Sequence, residues 1–537
     1  MSKTHCALST APPGARLSVL RRLRDGLATK EGMQLLKTLV AGKAIALFLL
    51  FVLFTVTANL LGGGAQAADD PHAPAVTINA LNTVWVLLAA FLVFAMQVGF
   101  TMLECGFCRS RETVNILMEC IADTCLCGLL FWAWGFAFMF SAGTPWIGTH
   151  WFFLNGSPET YFATGVPMLA FWLFQFAFAD CASTITSGAM AGRTGFWGDL
   201  VYSVGVSGFI YPIIGHWAWG PDGWLALMGS KGNLLPSLGA SFHDFAGSTV
   251  VHTIGGVMAL AGAIVLGPRI GRVFKRDGGG PMPAHDLVVA AIGGMILWFG
   301  WYGFNPGSTL SAMDFQGISR VATNTTLAAC AGGLVAMFVV YARTKVWDLS
   351  FTVNGFLAGL VAITCPCYWV SPLGSVLLGG IAGGVVVASV EVFEWFRLDD
   401  PVGAVSVHAI CGIWGTLSLG LFACGKYGVT GPTGADNTAP VTGLFYGGGV
   451  AQLAAQGIGS LSITLCTFVA AFALMKAVNA LGILRVSNAG EMEGLDNHEH
   501  GGPAYPEYAL NALGTGTPTP MPVSGKVASS LKKELGV

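Results

Sequence analysis

The stretch DFAGSTVVH at residues 244–252 returns as DPVGAVSVH at residues 400–408. Both copies follow the pattern D-x-x-G-x-x-x-V-H, and in both a glycine stands four residues beyond the histidine. Each copy opens a long apolar segment, so each predicts a helix that starts with its aspartate as the N-cap residue. In the second copy Pro401 then falls at the first helical position, where proline is favoured. The chain therefore contains an internal repeat with one histidine in each of two helices.

The composition around this repeat is typical of a membrane protein. Of the 537 residues, 54% are hydrophobic and 10% are charged, against roughly 25% charged residues in an ordinary soluble domain. This composition excludes a soluble globular protein. The 26 Lys and Arg residues against 28 Asp and Glu residues give a net charge of −2, which leaves no basic surface for nucleic acid. The main partner of the chain is expected to be the lipid bilayer.

Apolar segments of the length needed to cross a bilayer, about 20 residues each, recur along the chain. We count eleven, near residues 81–104, 117–142, 166–190, 196–219, 246–267, 286–306, 320–342, 352–368, 371–394, 402–424 and 455–483. We therefore predict an all-α polytopic membrane protein with eleven transmembrane helices.

The two histidine motifs begin the fifth and the tenth of these segments, so each repeat unit has five helices. An odd number of crossings inserts the second unit upside down, which predicts a five-plus-five inverted repeat followed by a last helix. Each histidine lies eight residues after its aspartate, or about 12 Å along a helix. Because the two helices enter from opposite faces of a hydrocarbon core about 30 Å thick, we expect the rings of His252 and His408 to meet near its middle.

The N-terminal region resembles a secretory signal peptide over residues 1–67, with an apolar run at 43–61 and a small-residue cleavage site ending at Ala67. A translation start at Met33 gives an ordinary basic region before that run, and we predict that start. Cleavage would leave the new N-terminus outside the inner (plasma) membrane. We then expect a membrane domain at residues 68–484 and a cytoplasmic tail at residues 485–537.

Loop charges test this orientation independently, because Lys and Arg concentrate in cytoplasmic loops. The predicted inner loops carry ten such residues, namely Arg109, Arg111, Arg193, Arg269, Arg272, Lys275, Arg276, Arg343, Lys345 and Arg397. The predicted outer loops carry three, namely Lys231, Arg320 and Lys426. The charge distribution agrees with the orientation.

Ionisable residues at the middle of a membrane are functional candidates by default. Two neutral imidazoles, each with one donor and one acceptor nitrogen, can bind a small neutral solute or relay a proton. The alternative is structural, with each ring bonded to a neighbouring Ser or carbonyl. A pair repeated in register favours function.

Five further stretches carry a family resemblance: VNILM at residues 114–118, FQFAFA at 174–179, HWAWG at 216–220, GWYGFNPGS at 300–308 and GLVAIT at 359–364. Together with the histidine motifs they closely resemble the ammonium transporter (Amt/Mep/Rh) family, bacterial Amt type, over residues 80–508. The resemblance implies a homotrimer with one pore through each protomer. It also implies a transporter of ammonium, ammonia and the analogue methylammonium rather than an enzyme, with no cofactor and no metal.

The resemblance assigns roles by position. It makes His252 and His408 the twin pore histidines, and Phe178 and Phe304 the stacked rings that close the outer mouth. It places Trp219, Ser308 and Phe174 at the site that recruits ammonium, and Asp244, Asp400 and Thr364 at structural or vestibule positions. The implied mechanism recruits ammonium outside, deprotonates it and conducts ammonia, with or without a relayed proton. The family often has Glu where Gly192 stands, and this departure lies at the predicted inner face.

The tail near Glu493–Tyr505 resembles the part of the family where PII-type regulatory proteins bind, whereas residues after Leu510 match no motif. Two alternative functions remain at this point. An ammonium sensor that transports little would use the same fold. An electron carrier would hold haem between the two histidines, which requires their nitrogens about 4 Å apart across the iron and a flat slot.

Overall fold

The computed structural model describes residues 76–161, 164–428 and 439–506. The predicted signal peptide at residues 1–67, the start at Met33 and the segment after Leu510 lie outside these described residues.

Within that part of the chain, α-helices dominate. They are α1 (Val76–Phe94), α2 (Met96–Phe107), α3 (Thr113–Leu130), α4 (Phe136–Phe140), α5 (Met168–Gly188), α6 (Phe196–Gly205), α7 (Tyr211–Trp219), α8 (Trp224–Leu227), α9 (Ile254–Leu266), α10 (Leu287–Phe304), α11 (Phe315–Thr344), α12 (Leu349–Thr364), α13 (Pro372–Trp395), α14 (Cys411–Phe422), α15 (Ala451–Ala480), α16 (Asn488–Glu493) and α17 (Leu495–His500). Four π-helical turns, Phe131–Gly135, Val206–Ile210, Ser248–Thr253 and Val405–Ile410, adjoin α4, α7, α9 and α14. Two antiparallel hairpins pair β1 (Gly143–Thr144) with β2 (Ile147–Gly148) and β3 (Thr160–Tyr161) with β4 (Val166–Pro167).

Ten helical segments among the described residues are long and apolar enough to cross a membrane. They match ten of the eleven predicted segments and confirm a helical polytopic membrane fold. The eighth predicted segment, near 352–368, corresponds to α12, which has 16 residues, fewer than the about 20 that a crossing needs. Helix α12 packs against α11, α13 and α14, and its residues from Val353 to Thr364 are buried. The count of eleven stays a prediction.

The helices that carry the histidine motifs begin with the same unusual geometry. A glycine with positive φ, Gly247 at 112° and Gly403 at 80°, precedes the π-helical turn in each copy. The predicted N-cap position of each aspartate was therefore wrong, and Pro401 lies before the helix rather than at its first position. The glycine turns the chain back over the helix start, because only glycine adopts this conformation readily. The aspartate side chain can then reach the helix N-terminus from three residues upstream.

The two motif helices contact each other reciprocally. A Cβ atom added to Gly256 of α9 would lie 2.3 Å from the backbone nitrogen of Ala409, the residue after His408. A Cβ atom added to Gly412 of α14 would lie 2.5 Å from the hydroxyl of Thr253, the residue after His252. The shared glycine of each copy thus contacts the residue that follows the histidine of the other copy. Glycine at these points lets the backbones approach closely, which sets the spacing of the two histidines.

The start of the tail packs on the predicted inner face. The Asp496 carboxylate accepts a hydrogen bond of 3.0 Å from the backbone nitrogen of Asn115, at the start of α3. The Asn115 side-chain oxygen lies 2.9 Å from Nε2 of His500. A salt bridge of 2.8 Å joins Arg485 to Glu491. The contacts with Asn115 hold α17 against the start of α3, and the salt bridge joins α16 to the segment that follows α15.

Candidate functional site

The rings of His252 and His408 lie against each other, as the repeat geometry predicts. Their Nδ1 atoms are 3.2 Å apart, and the ring planes are inclined by 25° with centroids 5.2 Å apart. Both residues are buried, His252 completely and His408 to all but 6% of its surface. The short Nδ1–Nδ1 distance is that of a hydrogen bond, in which one ring donates and the other accepts.

Two further aromatic rings pack on His252. Its ring stacks on Trp301 at 5.1 Å and on Phe304 at 5.3 Å, each with an interplanar angle of 22°. The indole nitrogen of Trp301 donates a hydrogen bond of 2.9 Å to the Thr364 hydroxyl, which in turn donates to the Leu360 carbonyl. Thr364 therefore orients the ring that supports His252. Sequence reasoning assigned Trp301 no role, although it lies within the GWYGFNPGS stretch.

The two residues predicted to close the outer mouth are stacked directly on each other. The ring centroids of Phe178 and Phe304 are 4.0 Å apart with an interplanar angle of 29°, and both side chains are buried. Because Phe304 also stacks on His252, the pair of rings covers the imidazoles from one side.

The residues predicted to recruit ammonium divide into two groups. Trp219 and Ser308 are partly exposed. The indole nitrogen of Trp219 donates a hydrogen bond of 2.8 Å to the backbone carbonyl of Asp244, and this bond fixes the orientation of the ring. The Ser308 hydroxyl donates a hydrogen bond of 2.8 Å to the Phe304 carbonyl, so its oxygen can still accept a hydrogen bond from a ligand. Phe174 is completely buried and packs on Phe178 at 4.7 Å. It contacts the ring pair and not the surface.

The two motif aspartates bind the N-termini of the motif helices. Asp244 accepts four backbone hydrogen bonds of 2.8–3.0 Å, from Gly247, Ser248, Thr249 and Val250. Asp400 accepts two of 2.9 Å, from Ala404 and Val405. Burial raises the pKa of Asp400 to about 6 against the opposing effect of these hydrogen bonds. Each carboxylate therefore satisfies backbone donors that a helix start leaves unpaired.

A narrow cavity lies on the other side of His408. It has room for about one water molecule, and His408, Glu104 and Asn354 contribute its polar wall. Glu104 is 2% exposed and was not predicted as a site residue. The signal that could have found it is an ionisable side chain inside an apolar segment.

A second, larger cavity of about 400 Å³ opens at the predicted inner face. Beside it Arg269 donates three hydrogen bonds of 2.9 Å to the Asp399 carboxylate. Burial alone would raise the pKa of Asp399, but the hydrogen bonds of Arg269 and the charge of Arg193 hold it below its usual range. At Gly192 a Cβ atom would lie 2.7 Å from the carboxylate of Glu112. The Glu112 carboxylate thus lies beside the position where the family often has a Glu and this chain has Gly192.

The Nδ1 atoms of the two rings are in direct hydrogen-bonding contact, which leaves no space for an iron between them and disfavours the haem alternative. Among residues 76–161, 164–428 and 439–506, no group of three or more His, Cys, Asp or Glu side chains is placed to hold a metal ion.

Comparison with known proteins places this arrangement in a family. The model of the Ammonium Transporter Family matches residues 84–505. The chain is 41% identical to ammonium transporter Amt2 of Archaeoglobus fulgidus over 494 residues, covering 91% of this chain and 99% of that protein. It is 36% identical to ammonium transporter 1 member 3 of Solanum lycopersicum, covering 81% of this chain and 95% of that protein.

Solved structures show the same fold. A sensor Amt protein superimposes with a TM-score of 0.69 at 35% identity, covering 79% of this chain and 99% of the other. Mep2 of Candida albicans superimposes with a TM-score of 0.67 at 27% identity, covering 77% and 87%. The resemblance found in the sequence motifs is thereby confirmed: the chain belongs to the ammonium transporter family.

Proposed function

We propose that this chain is an ammonium transporter that recruits ammonium at its outer mouth, deprotonates it and conducts ammonia past the histidine pair, with or without a separately relayed proton. The observation that carries the proposal is the hydrogen-bonded pair His252–His408, buried behind the stacked rings of Phe178 and Phe304.

The outer mouth must attract a cation that the interior cannot accept. Burying a bare ammonium ion costs several kcal/mol or more. The indole of Trp219, held by Asp244, can contribute a cation–π attraction of about 0.5–2 kcal/mol, and the Ser308 hydroxyl adds an acceptor. Potassium could be attracted to the same place, but it cannot lose a proton and therefore cannot enter the apolar region beyond the rings.

The histidine pair offers a neutral polar surface in that region. Nε2 of His252 is buried and has no hydrogen-bond partner among the described residues, so it is available to a small solute or to a proton. The Nδ1–Nδ1 hydrogen bond connects it to His408. Such a pair solvates ammonia better than ammonium, because each neutral ring supplies only one donor and one acceptor.

The architecture that we propose around this site is an eleven-helix membrane domain at residues 68–484 with an inverted repeat. The reciprocal contacts of Gly256 with Ala409 and of Gly412 with Thr253 support the repeat, because equivalent positions meet across a two-fold relation. We further propose that the chain lies in the inner (plasma) membrane, with the N-terminus outside after removal of residues 1–67 and the tail at residues 485–537 inside.

Assembly and regulation belong to the same proposal. The resemblance favours a homotrimer with one pore in each protomer. The contacts of Asp496 and His500 with Asn115 keep the described part of the tail folded on the membrane helices. This gives a PII-type protein an ordered surface to recognise.

A sensor role is the second candidate, because one of the similar structures is named a sensor Amt protein. Transport measurements separate the two. We would reconstitute the protein into liposomes and compare ammonium pulses with potassium pulses, recording membrane current and internal pH. The variants are His252→Ala and His408→Ala, with His150→Ala as the control, because His150 is exposed.

We expect ammonium-dependent current or internal alkalinisation in the wild type and in the control, with no response to potassium. Loss of the signal, or loss of selectivity against potassium, in the two pore variants supports the proposed pair. A wild-type protein that binds ammonium but produces neither signal would contradict transport and favour the sensor.

A further inference from the structure

Glu104 is a carboxylic acid inside a membrane-spanning helix, one turn before α2 ends at Phe107. It shares the narrow cavity beneath the histidine pair with His408. Most of the remaining wall is apolar and comes from Phe100, Leu103, Ile185, Leu357, Val402 and Val407. A lane that conducts only neutral ammonia has no need for a carboxyl group, and burying one in a membrane is costly. A carboxyl group in the same cavity as the His408 ring is therefore a candidate for a functional role.

The hydrogen bonds around Glu104 leave it capacity for a proton. Its Oε2 atom accepts one long hydrogen bond of 3.5 Å from the Ser187 hydroxyl. Across the same cavity, the side-chain oxygen of Asn354 is buried without a partner among the described residues. Polar groups that converge on a small cavity in this way are typical of a bound water. A water there would connect His408 to Glu104.

The path continues to the predicted inner face. Asn354, Val402 and Gly403 line the narrow cavity and also the larger cavity of about 400 Å³. The larger cavity is lined by charged residues such as Arg269 and Lys275, as expected of a space open to water. A proton on Glu104 thus has only this shared wall to pass before it reaches the inner vestibule.

From this geometry we infer that Glu104 is the inner proton acceptor of the transport cycle, a role that rests on the transport function proposed above. An N–H bond of ammonium breaks at the outer side, and the proton passes through the rings of His252 and His408. It then forms an O–H bond on the Glu104 carboxylate while ammonia crosses separately. Glu104 releases the proton to water in the inner vestibule, where ammonia takes up a proton to become ammonium. One positive charge moves inward for each ammonium, and no oxidant or reductant is required.

The test uses full-length protein in liposomes that contain a pH-sensitive dye, with membrane current recorded in parallel. The variants are Glu104→Gln, which keeps the shape and removes the titratable group, and Glu104→Asp, which keeps the acid. Glu119→Gln is the matched control, because Glu119 is also a buried acid but does not line the cavity.

We expect the wild type and Glu119→Gln to carry ammonium current. Glu104→Gln should lose at least about tenfold in current, since a positioned acid or base commonly contributes a factor of 10² or more. The same variant should still alkalinise the liposome interior, because ammonia enters without its proton. Glu104→Asp should retain more current than Glu104→Gln.

Three outcomes would overturn the inference, and a fourth would refute the transport function on which it rests. Current of wild-type size in Glu104→Gln would show that the proton passes elsewhere. Loss of both current and alkalinisation in Glu104→Gln would show that the residue supports conduction as a whole. A wild type that alkalinises the interior without current would leave ammonia transport intact and exclude a relayed proton, whereas a wild type with neither signal would refute the transport function itself.

Discussion

Replacing Gly256 by alanine should separate the two histidines. The added Cβ would lie 2.3 Å from the backbone nitrogen of Ala409 and 2.9 Å from its Cα. These are backbone atoms that cannot rotate away, so the contact must open to about 3.4 Å and the helices must part by about 1 Å. Because His408 is adjacent to Ala409 and His252 lies about one turn from Gly256, the Nδ1–Nδ1 distance of 3.2 Å would grow to about 4 Å. That exceeds the reach of a hydrogen bond.

The expected result is loss of ammonium transport with a moderate loss of stability. Overpacking of this kind typically costs about 1–3 kcal/mol in the free energy of unfolding. The assay combines thermal unfolding in detergent with ammonium pulses on liposomes. The matched control is Gly384→Ala in α13, where a Cβ would meet nothing within 4 Å. A helix there should gain up to about 1 kcal/mol from the exchange. Unchanged transport in Gly256→Ala would refute the argument that close backbone contact holds the rings together.

Three other changes test the surroundings of the pair. Asp244→Asn replaces a carboxylate that accepts four backbone N–H groups, and we expect it to lower the free energy of unfolding by about 2–4 kcal/mol, measured by thermal unfolding. Thr364→Val leaves the buried indole donor of Trp301 unpaired and should cost about 1–3 kcal/mol, while Thr364→Ser should behave like the wild type. Asp400 has a pKa raised to about 6 by burial, so the folded protein binds this proton more tightly than the unfolded chain. The stabilisation from Asp400 is complete below its ordinary pKa of 3.8 and is lost as the pH rises through 6. Between pH 4 and 7 the wild type should therefore lose more thermal stability than Asp400→Asn.

Each of these expectations has a contrary outcome. Equal stability of Asp244→Asn and wild type would mean that the four hydrogen bonds contribute nothing net. A Thr364→Ser variant as unstable as Thr364→Val would show that the hydroxyl is not the relevant group. Parallel pH profiles for Asp400→Asn and wild type would contradict the raised pKa of that carboxyl.

The sequence was sufficient for the features that depend on chain length and order. Hydropathy located the ten long apolar helices, because a crossing requires a run of apolar residues of set length. The spacing within the two motifs predicted that His252 and His408 would approach, because a depth of about 12 Å from opposite faces of a core about 30 Å thick brings both close to its middle. The stacking of Phe178 on Phe304 was predicted by family resemblance.

The same reasoning misplaced the starts of the motif helices. It treated Asp400 as an N-cap with Pro401 following inside the helix, whereas Gly403 turns the chain first and the helix begins beyond it. A sequence pattern shows that an aspartate and a helix start are close. It does not show whether the side chain reaches the N–H groups from the adjacent residue or from three residues earlier.

Only the tertiary structure identified Trp301 as the ring beneath His252 and Glu104 as the acid in the cavity beyond His408. Sequence by itself located ten helices that are long and apolar enough to cross a membrane and showed which two of them carry the histidines. It could not determine how each helix is rotated about its axis, because most of these helices are apolar around their whole circumference and a lipid-facing side looks like a buried one. Rotation is set by contacts between residues far apart in the chain, such as Trp301 with Thr364 and Gly256 with Ala409, and those contacts decide which side chains lie beside the histidine pair.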